Sequence, residues 1–157
     1  MQFISPTKGA LSFDQMFAEI VAYVEEEPGA AYKLIIGTDS QARENSIAFV
    51  SAVVIHRQGK GARYFYQRRV QRRIFSLRQK IFFETSLSLG LAGRLAERMS
   101  ENGYARLNLE IHLDVGPNGE TRELIREIVG MVTGSGFDAK IKPDSYGASK
   151  VADKYTK

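Results

Sequence analysis

The sequence predicts an α/β domain built on a mixed, five-stranded sheet flanked by helices, with an extra helix ahead of it. Two observations carry this. Three strand-like segments follow one another and then alternate with helical ones, giving the order β-β-β-α-β-α-β-α after a first helix over 12–27. A meander that continues into βαβ units mixes antiparallel and parallel pairing in one sheet. The composition agrees, because 43% hydrophobic and 25% charged residues are ordinary globular values. At 157 residues the chain is long enough for one real core, and residues 1–157 read as a single domain.

Each element has its own signal. Ser12-Phe-Asp-Gln15 forms a capping box, and Phe13, Met16, Phe17, Ile20, Val21 and Val24 recur at helical spacing until Pro28-Gly29. Lys33 to Gln41, K-L-I-I-G-T-D-S-Q, opens on an aliphatic run, so the first strand covers about 32–39 and ends in turn-forming residues. Ser46–Arg57 and Ala62–Arg72 are rich in β-branched and aromatic residues around the turn Gln58–Gly61, and read as a hairpin. A long helix follows over about 76–101. Leu107, Leu109, Ile111 and Leu113 alternate in a fourth strand over Arg106–Val115. Pro117-Asn-Gly119 turns into a helix over about 121–133, with Leu124, Ile125, Ile128 and Val132 as its apolar stripe. Phe137–Lys142 reads as a short fifth strand, and Ser145–Tyr155 as a last helix after the Pro143-Asp144 break.

Composition bounds the function. Without cysteine there are neither disulfides nor thiolate metal sites. No apolar run reaches the length of a membrane span and the N-terminus lacks a signal-peptide layout, so a cytoplasmic location is the default expectation. The formal charge of +4 suits an anionic partner. Its distribution is more telling, for Arg63 to Lys80 holds seven Lys or Arg and no acid. A one-sign block of this kind is a candidate phosphate-contacting surface.

Four carboxylates stand at comparable places. Asp39 lies where the first core strand surfaces. Glu84, at about 100° per residue, falls within about 20° of Leu77, Leu91 and Leu95 and so sits in the sheet-facing stripe of the long helix. A charge there is expensive unless it is paired with an arginine or bound to a cation. Asp114 closes the fourth strand much as Asp39 closes the first. If these strands are parallel neighbours, both acids emerge at one edge and need a counter-cation, for which hard divalent ions such as Mg²⁺ are suited. Asp153 lies off the Ala148/Val151/Tyr155 stripe of the last helix. It is either a solvated surface acid or, if that helix packs beside the same edge, a fourth carboxylate of the site.

First-strand Asp, meander, helix Glu, fourth-strand Asp and last-helix Asp is a pattern that resembles the ribonuclease H-like superfamily. More narrowly, the stretches IIGTDSQ, FFET, HLDVGPNGETRELI, VGMVTGSGF and IKPDSYGASKVADKYTK resemble the YkuK-like family of small bacterial proteins within it. The resemblance spans essentially the whole chain. It implies that Asp39, Glu84, Asp114 and Asp153 are catalytic metal ligands for two Mg²⁺ or Mn²⁺ ions. It also implies hydrolysis of phosphodiester bonds in RNA, an RNA–DNA hybrid or structured DNA, leaving 5′-phosphate and 3′-hydroxyl ends. This chain departs from the pattern in two ways. Lys142-Pro-Asp-Ser-Tyr146, before the last helix, has no histidine, and Glu110 and His112 add polar groups to the strand face of Asp114.

Other residues complete the expectation. Arg68, Arg69, Arg72 and Arg73 could hold phosphates while Tyr64 and Tyr66 stack bases, or they form a solvated strand end. Ser40 and Gln41 follow Asp39 and could reach a substrate backbone; Lys142 and Lys154 flank the proposed site. His112 is either an auxiliary ligand or proton carrier, or a neutral imidazole bonded to a neighbouring acid. Gly37, Gly116 and Gly119 read as turn glycines, and their spacing fits neither a phosphate-binding loop nor a dinucleotide fingerprint. Three rivals to a nuclease remain: a nucleic-acid-binding protein of the same fold that does not cut, a phosphotransferase, and a scaffold whose acids are structural.

Overall fold

The computed structural model describes residues 2–73, 75–105, 107–145 and 147–156, and the side chains of all of these but Ser149. Its elements run β1 (Phe3–Ser5), β2 (Gly9–Leu11), α1 (Phe13–Glu26), β3 (Tyr32–Ala42), β4 (Ile47–Arg57) and β5 (Ala62–Gln71). Then come α2 (Leu77–Glu101), β6 (Asn108–His112), a 3₁₀ turn (Arg122–Leu124) leading into α3 (Ile125–Gly134), β7 (Asp138–Lys140) and α4 (Gly147–Thr156). Capping boxes open both α1 and α2. Ser12 accepts from the Gln15 N–H and Ser76 from the Gln79 N–H, and each glutamine accepts in return from the cap residue's N–H.

The strands form one mixed sheet in the order β2-β1-β5-β4-β3-β6-β7. Five of them are the expected five: the β3-β4-β5 meander is antiparallel, and β6 and β7 pair parallel to β3 and to each other. The sheet has seven strands, not five, because the N-terminal hairpin β1-β2 adds to β5 through Ile4↔Tyr66. Three-residue strands are too short to leave a readable period, and Gly9, at φ +76, supplies the left-handed residue where β2 begins.

Two boundaries matter for the site. β3 does not stop at Asp39 but continues to Ala42, because β4 pairs with it residue for residue from Tyr32↔Arg57 to Ala42↔Ile47. β6 is shorter than expected and ends at His112, so Asp114 lies two residues past it. Arg106, the expected start of that strand, and Tyr146, within the expected last helix, lie outside the described residues. The parallel pairing of β6 and β7 is prolonged by main-chain bonds from Leu113 N–H to Lys140 C=O and from Lys142 N–H to Val115 C=O, both 2.8 Å.

The helices divide unequally over the two faces. α1, α2 and α3 cover one face and bury Leu34, Ile36, Val53, Ile55, Phe65 and Ile111 in the main core. α4 alone packs on the other face, where Ala148 and Ala152 meet Ile35, Val50, Ala52 and Val54. Gly37 is not a turn residue. It sits in the middle of β3, where a Cβ would lie 2.8 Å from the Cβ of Ala148, so its lack of a side chain sets how closely α4 approaches. Tyr155 closes the far end of α4, its ring stacked on Tyr66 at 3.8 Å and its hydroxyl 2.7 Å from that of Tyr64.

Candidate functional site

The parallel strands β3 and β6 diverge after Gly37↔His112, and β3 runs on with no strand beside it on that side. Side chains from α2 on one face and α4 on the other come together round the bare edge of β3. The result is an open cleft of about 530 Å³ lined by the acids Asp39, Asp114 and Asp153, the lysines Lys80, Lys142 and Lys150, and Ser40 and Ser145.

Successive residues of β3 reach into it from opposite faces. Asp39 faces α4 and lies within reach of the charge of Asp153, while the Ser40 hydroxyl donates to Glu84 of α2. Glu84 is 5% exposed and stands behind Asp114, in a tight space shared with Thr38 and Ser88. Below it, the Thr38 hydroxyl bonds those of Ser51 and Ser88, both at 2.8 Å, which satisfies the buried polar atoms between β3, β4 and α2. Asp114 is held by Lys142, with Nζ 2.8 Å from Oδ1.

The electrostatics follow from this crowding. Burial pushes Asp39 up to about 6, and the charges of Asp114 and Asp153 push the same way, against a main-chain bond from Ser40. Burial pushes Glu84 up to about 8; the Ser40 hydroxyl and Lys80 oppose this, and Asp39 and Asp114 reinforce it. Lys142 is raised by its bond to Asp114 and by the charges of Asp39 and Glu84. Asp39 therefore lies within electrostatic reach of each of the other three expected carboxylates, and Glu84 within reach of Asp39 and Asp114. They are all-oxygen donors of the kind that hard divalent ions prefer, and buried Glu84 is bonded to a neutral hydroxyl, so their chemistry fits such an ion. Among the described residues, though, no three His, Asp or Glu side chains stand close enough together to hold an ion. The acids are engaged instead with Ser40, with Lys142 and with each other.

The remaining expected residues divide. Ser40 and Lys142 line the cleft. Gln41 does not; it is exposed at the end of β3, opposite Ala48. Lys154 is exposed on α4, its ammonium 5.5 Å from the centre of the Tyr155 ring, and is not among the cleft's lining residues. His112 takes the plainer of its two roles. Its Nε2 is 3.1 Å from Glu110, which also pairs with half-buried Lys33 at 3.1 Å, and this trio sits on the α4 face. Tyr64 and Tyr66 are packed against Tyr155 and are not free to stack on bases. Arg68 lies opposite Val50, which lies opposite Asp39, so Arg68 shares the face of Asp39 two strands away, about 10 Å. Arg69, opposite Phe49 and Ser40, belongs to the other face. Arg72 and Arg73 are exposed past the end of β5, and Arg73 lies over the Phe75 ring at 4.3 Å.

Lys80, Lys150 and Ser145 were not expected. Helical spacing carried a signal for the two lysines: Lys80 precedes Glu84 by one turn, and Lys150 precedes Asp153 by three residues on the same face. Ser145, buried with an unpartnered hydroxyl, left no such mark. No helix of the described residues is long and apolar enough to cross a membrane.

A family model described as ribonuclease H-like matches residues 15–157. The chain is also similar to the uncharacterized protein YkuK of Bacillus subtilis (strain 168), with 36% identity over 167 aligned residues covering 99% of this chain and 96% of the relative.

Proposed function

Because this chain belongs to the ribonuclease H-like family, we propose that it is a divalent-metal-dependent nuclease that hydrolyses phosphodiester bonds in RNA, an RNA–DNA hybrid or structured DNA. One observation carries the reading: Asp39 lies within reach of the charges of Glu84, Asp114 and Asp153, which come from three other segments of the chain. Asp39, Glu84, Asp114 and Asp153 would hold two ions, Mg²⁺ or Mn²⁺, which supply Lewis acidity and an activated water when bound.

The chain's own side chains have separable tasks. Ser40 fixes the direction of the Glu84 carboxylate through its hydroxyl. Asp153 of α4 faces Asp39 of β3, so the two acids would hold a cation between helix and strand. Lys80 and Lys150 present positive charge to an incoming phosphate from two sides of the cleft. Arg68 continues that charge along the face of Asp39, where a backbone phosphate beyond the scissile one would lie.

The test is a cleavage assay with labelled RNA, RNA–DNA hybrid and branched DNA, in Mn²⁺ or Mg²⁺ and in chelator. Metal-dependent products with 5′-phosphate ends, lost in Asp39→Asn and Asp114→Asn, are the expected result. The engagement of Asp114 by Lys142 favours a second reading, a nucleic-acid-binding protein that does not cut. It predicts binding without products, and an affinity that Asp39→Ala leaves unchanged.

A further inference from the structure

We propose that Lys142 is the resident counter-cation of the acid cleft: its ammonium occupies Asp114 in the metal-free protein and competes with a divalent ion for that carboxylate. The inference rests on the metal-binding reading above and goes beyond it by assigning a second occupant to one of the ligands.

The placement of Lys142 is built into the main chain. Its N–H donates to Val115 C=O at 2.8 Å, one step along from the bond between Leu113 N–H and Lys140 C=O. Those two bonds flank Asp114 and fix the lysine backbone beside it. Gly116 clears the way for the stem, since a Cβ there would lie 2.9 Å from the Lys142 Cβ. The ammonium then reaches Oδ1 of Asp114 at 2.8 Å, although the lysine side chain is 58% exposed and free to turn into solvent.

An exposed lysine pair on an ordinary surface stabilises little. Here the carboxylate stands beside Glu84 and within reach of Asp39, where a fixed positive charge offsets like-charge repulsion. A divalent ion binds carboxylate oxygen at about 2.0–2.6 Å. It cannot share Oδ1 with an ammonium without strong repulsion, so the two occupants exclude each other. Once displaced, the Lys142 ammonium stays tethered at the mouth of the cleft, facing the position of a substrate phosphate.

The experiment is calorimetric titration of the full chain with Mn²⁺ and no nucleic acid, for wild type, Lys142→Met, Lys142→Gln and Lys150→Met. Removing the competitor should tighten Mn²⁺ binding roughly fivefold in both Lys142 variants. Lys150→Met removes an equal charge from the same cleft and should change the affinity less than about twofold. The melting temperature without metal should fall in the Lys142 variants. Equal tightening in Lys150→Met would reduce the effect to the general field of the cleft and overturn the proposal. Unchanged or weaker binding in both Lys142 variants would overturn it while leaving the metal site standing. Failure of every protein, wild type included, to bind Mn²⁺ would remove the metal reading and this inference together.

Discussion

Asp39 of β3 and Asp153 of the last helix face each other at one sheet edge, each within reach of the other's negative charge. Like charges that close disfavour ionisation, in the same direction as the burial that dominates the upward shift of Asp39. Folding therefore raises the proton affinity of the cleft, and its stability depends on pH in a definite direction.

Asp39 and Glu84 rise from ordinary values of 3.8 and 4.5 to about 6 and about 8 on folding. In that window the folded chain binds more protons than the unfolded chain, so stability falls as pH rises. The contribution is complete below about pH 4 and is lost as pH climbs through about 6 and then about 8. Metal-free protein should accordingly melt at lower temperature at pH 8 than at pH 5. Glu84→Gln should flatten the upper part of this decline and melt about 2–4 °C above wild type near pH 8, the shift that roughly 1 kcal/mol makes in a chain of this size. Scanning fluorimetry across the pH series checks it, and a variant that follows the wild-type slope would refute the assignment.

Gly37→Ala would drive a methyl group to 2.8 Å from the Ala148 Cβ and 3.2 Å from the His112 carbonyl oxygen. Overpacking of this kind costs about 1–3 kcal/mol. Ala148→Gly should restore part of that loss, with a coupling of about 0.5 kcal/mol or more in a double-mutant cycle measured by urea unfolding. Strict additivity would mean that the close approach of β3 and α4 is not what positions the helix.

Tyr155 anchors the same helix through its stacked ring and its hydroxyl. Tyr155→Ala should cost about 3 kcal/mol, and Tyr155→Phe, which loses only the bond to Tyr64, about 1 kcal/mol. Chemical denaturation of the two variants separates ring from hydroxyl. Equal losses would assign the whole effect to the hydroxyl bond.

Arg68 and Arg69 are neighbours in sequence but lie on opposite faces of the sheet. If substrate passes over the face of Asp39, Arg68→Ala should lower the salt dependence of nucleic-acid binding by about one unit of log–log slope. Arg69→Ala should leave that slope close to wild type. Fluorescence anisotropy over a salt series distinguishes them, and the reverse ranking would place the substrate on the other side.

Much of this was legible in the residues. The Ser12–Gln15 capping box, the alternation of Leu107 to Leu113 and the place of Glu84 among leucines report local periodicity, and the corresponding elements formed. The gathering of the acids was readable only through the family resemblance, because parallel pairing of β3 with β6 is a long-range event that no local pattern encodes. The hairpin Phe3–Leu11 was missed because three-residue strands have no period. Base stacking by Tyr64 and Tyr66, one of two readings the residues leave open, meets a different obstacle. Alternation shows that they share a face, but only the fold shows that Tyr155 covers it. Gly37 was misread as a turn glycine because a turn and a close helix contact ask for the same absence of a side chain.

The two outermost strands, β2 and β7, are only three residues long, and β7 carries exposed Asp138 and Lys140 at the sheet's margin. Short borders, charged on the β7 side, make poor templates for a strand from another molecule. The outer margins of the seven-stranded sheet thus offer little to a strand from another molecule, and the unpaired end of β3 opens onto the acid cleft instead.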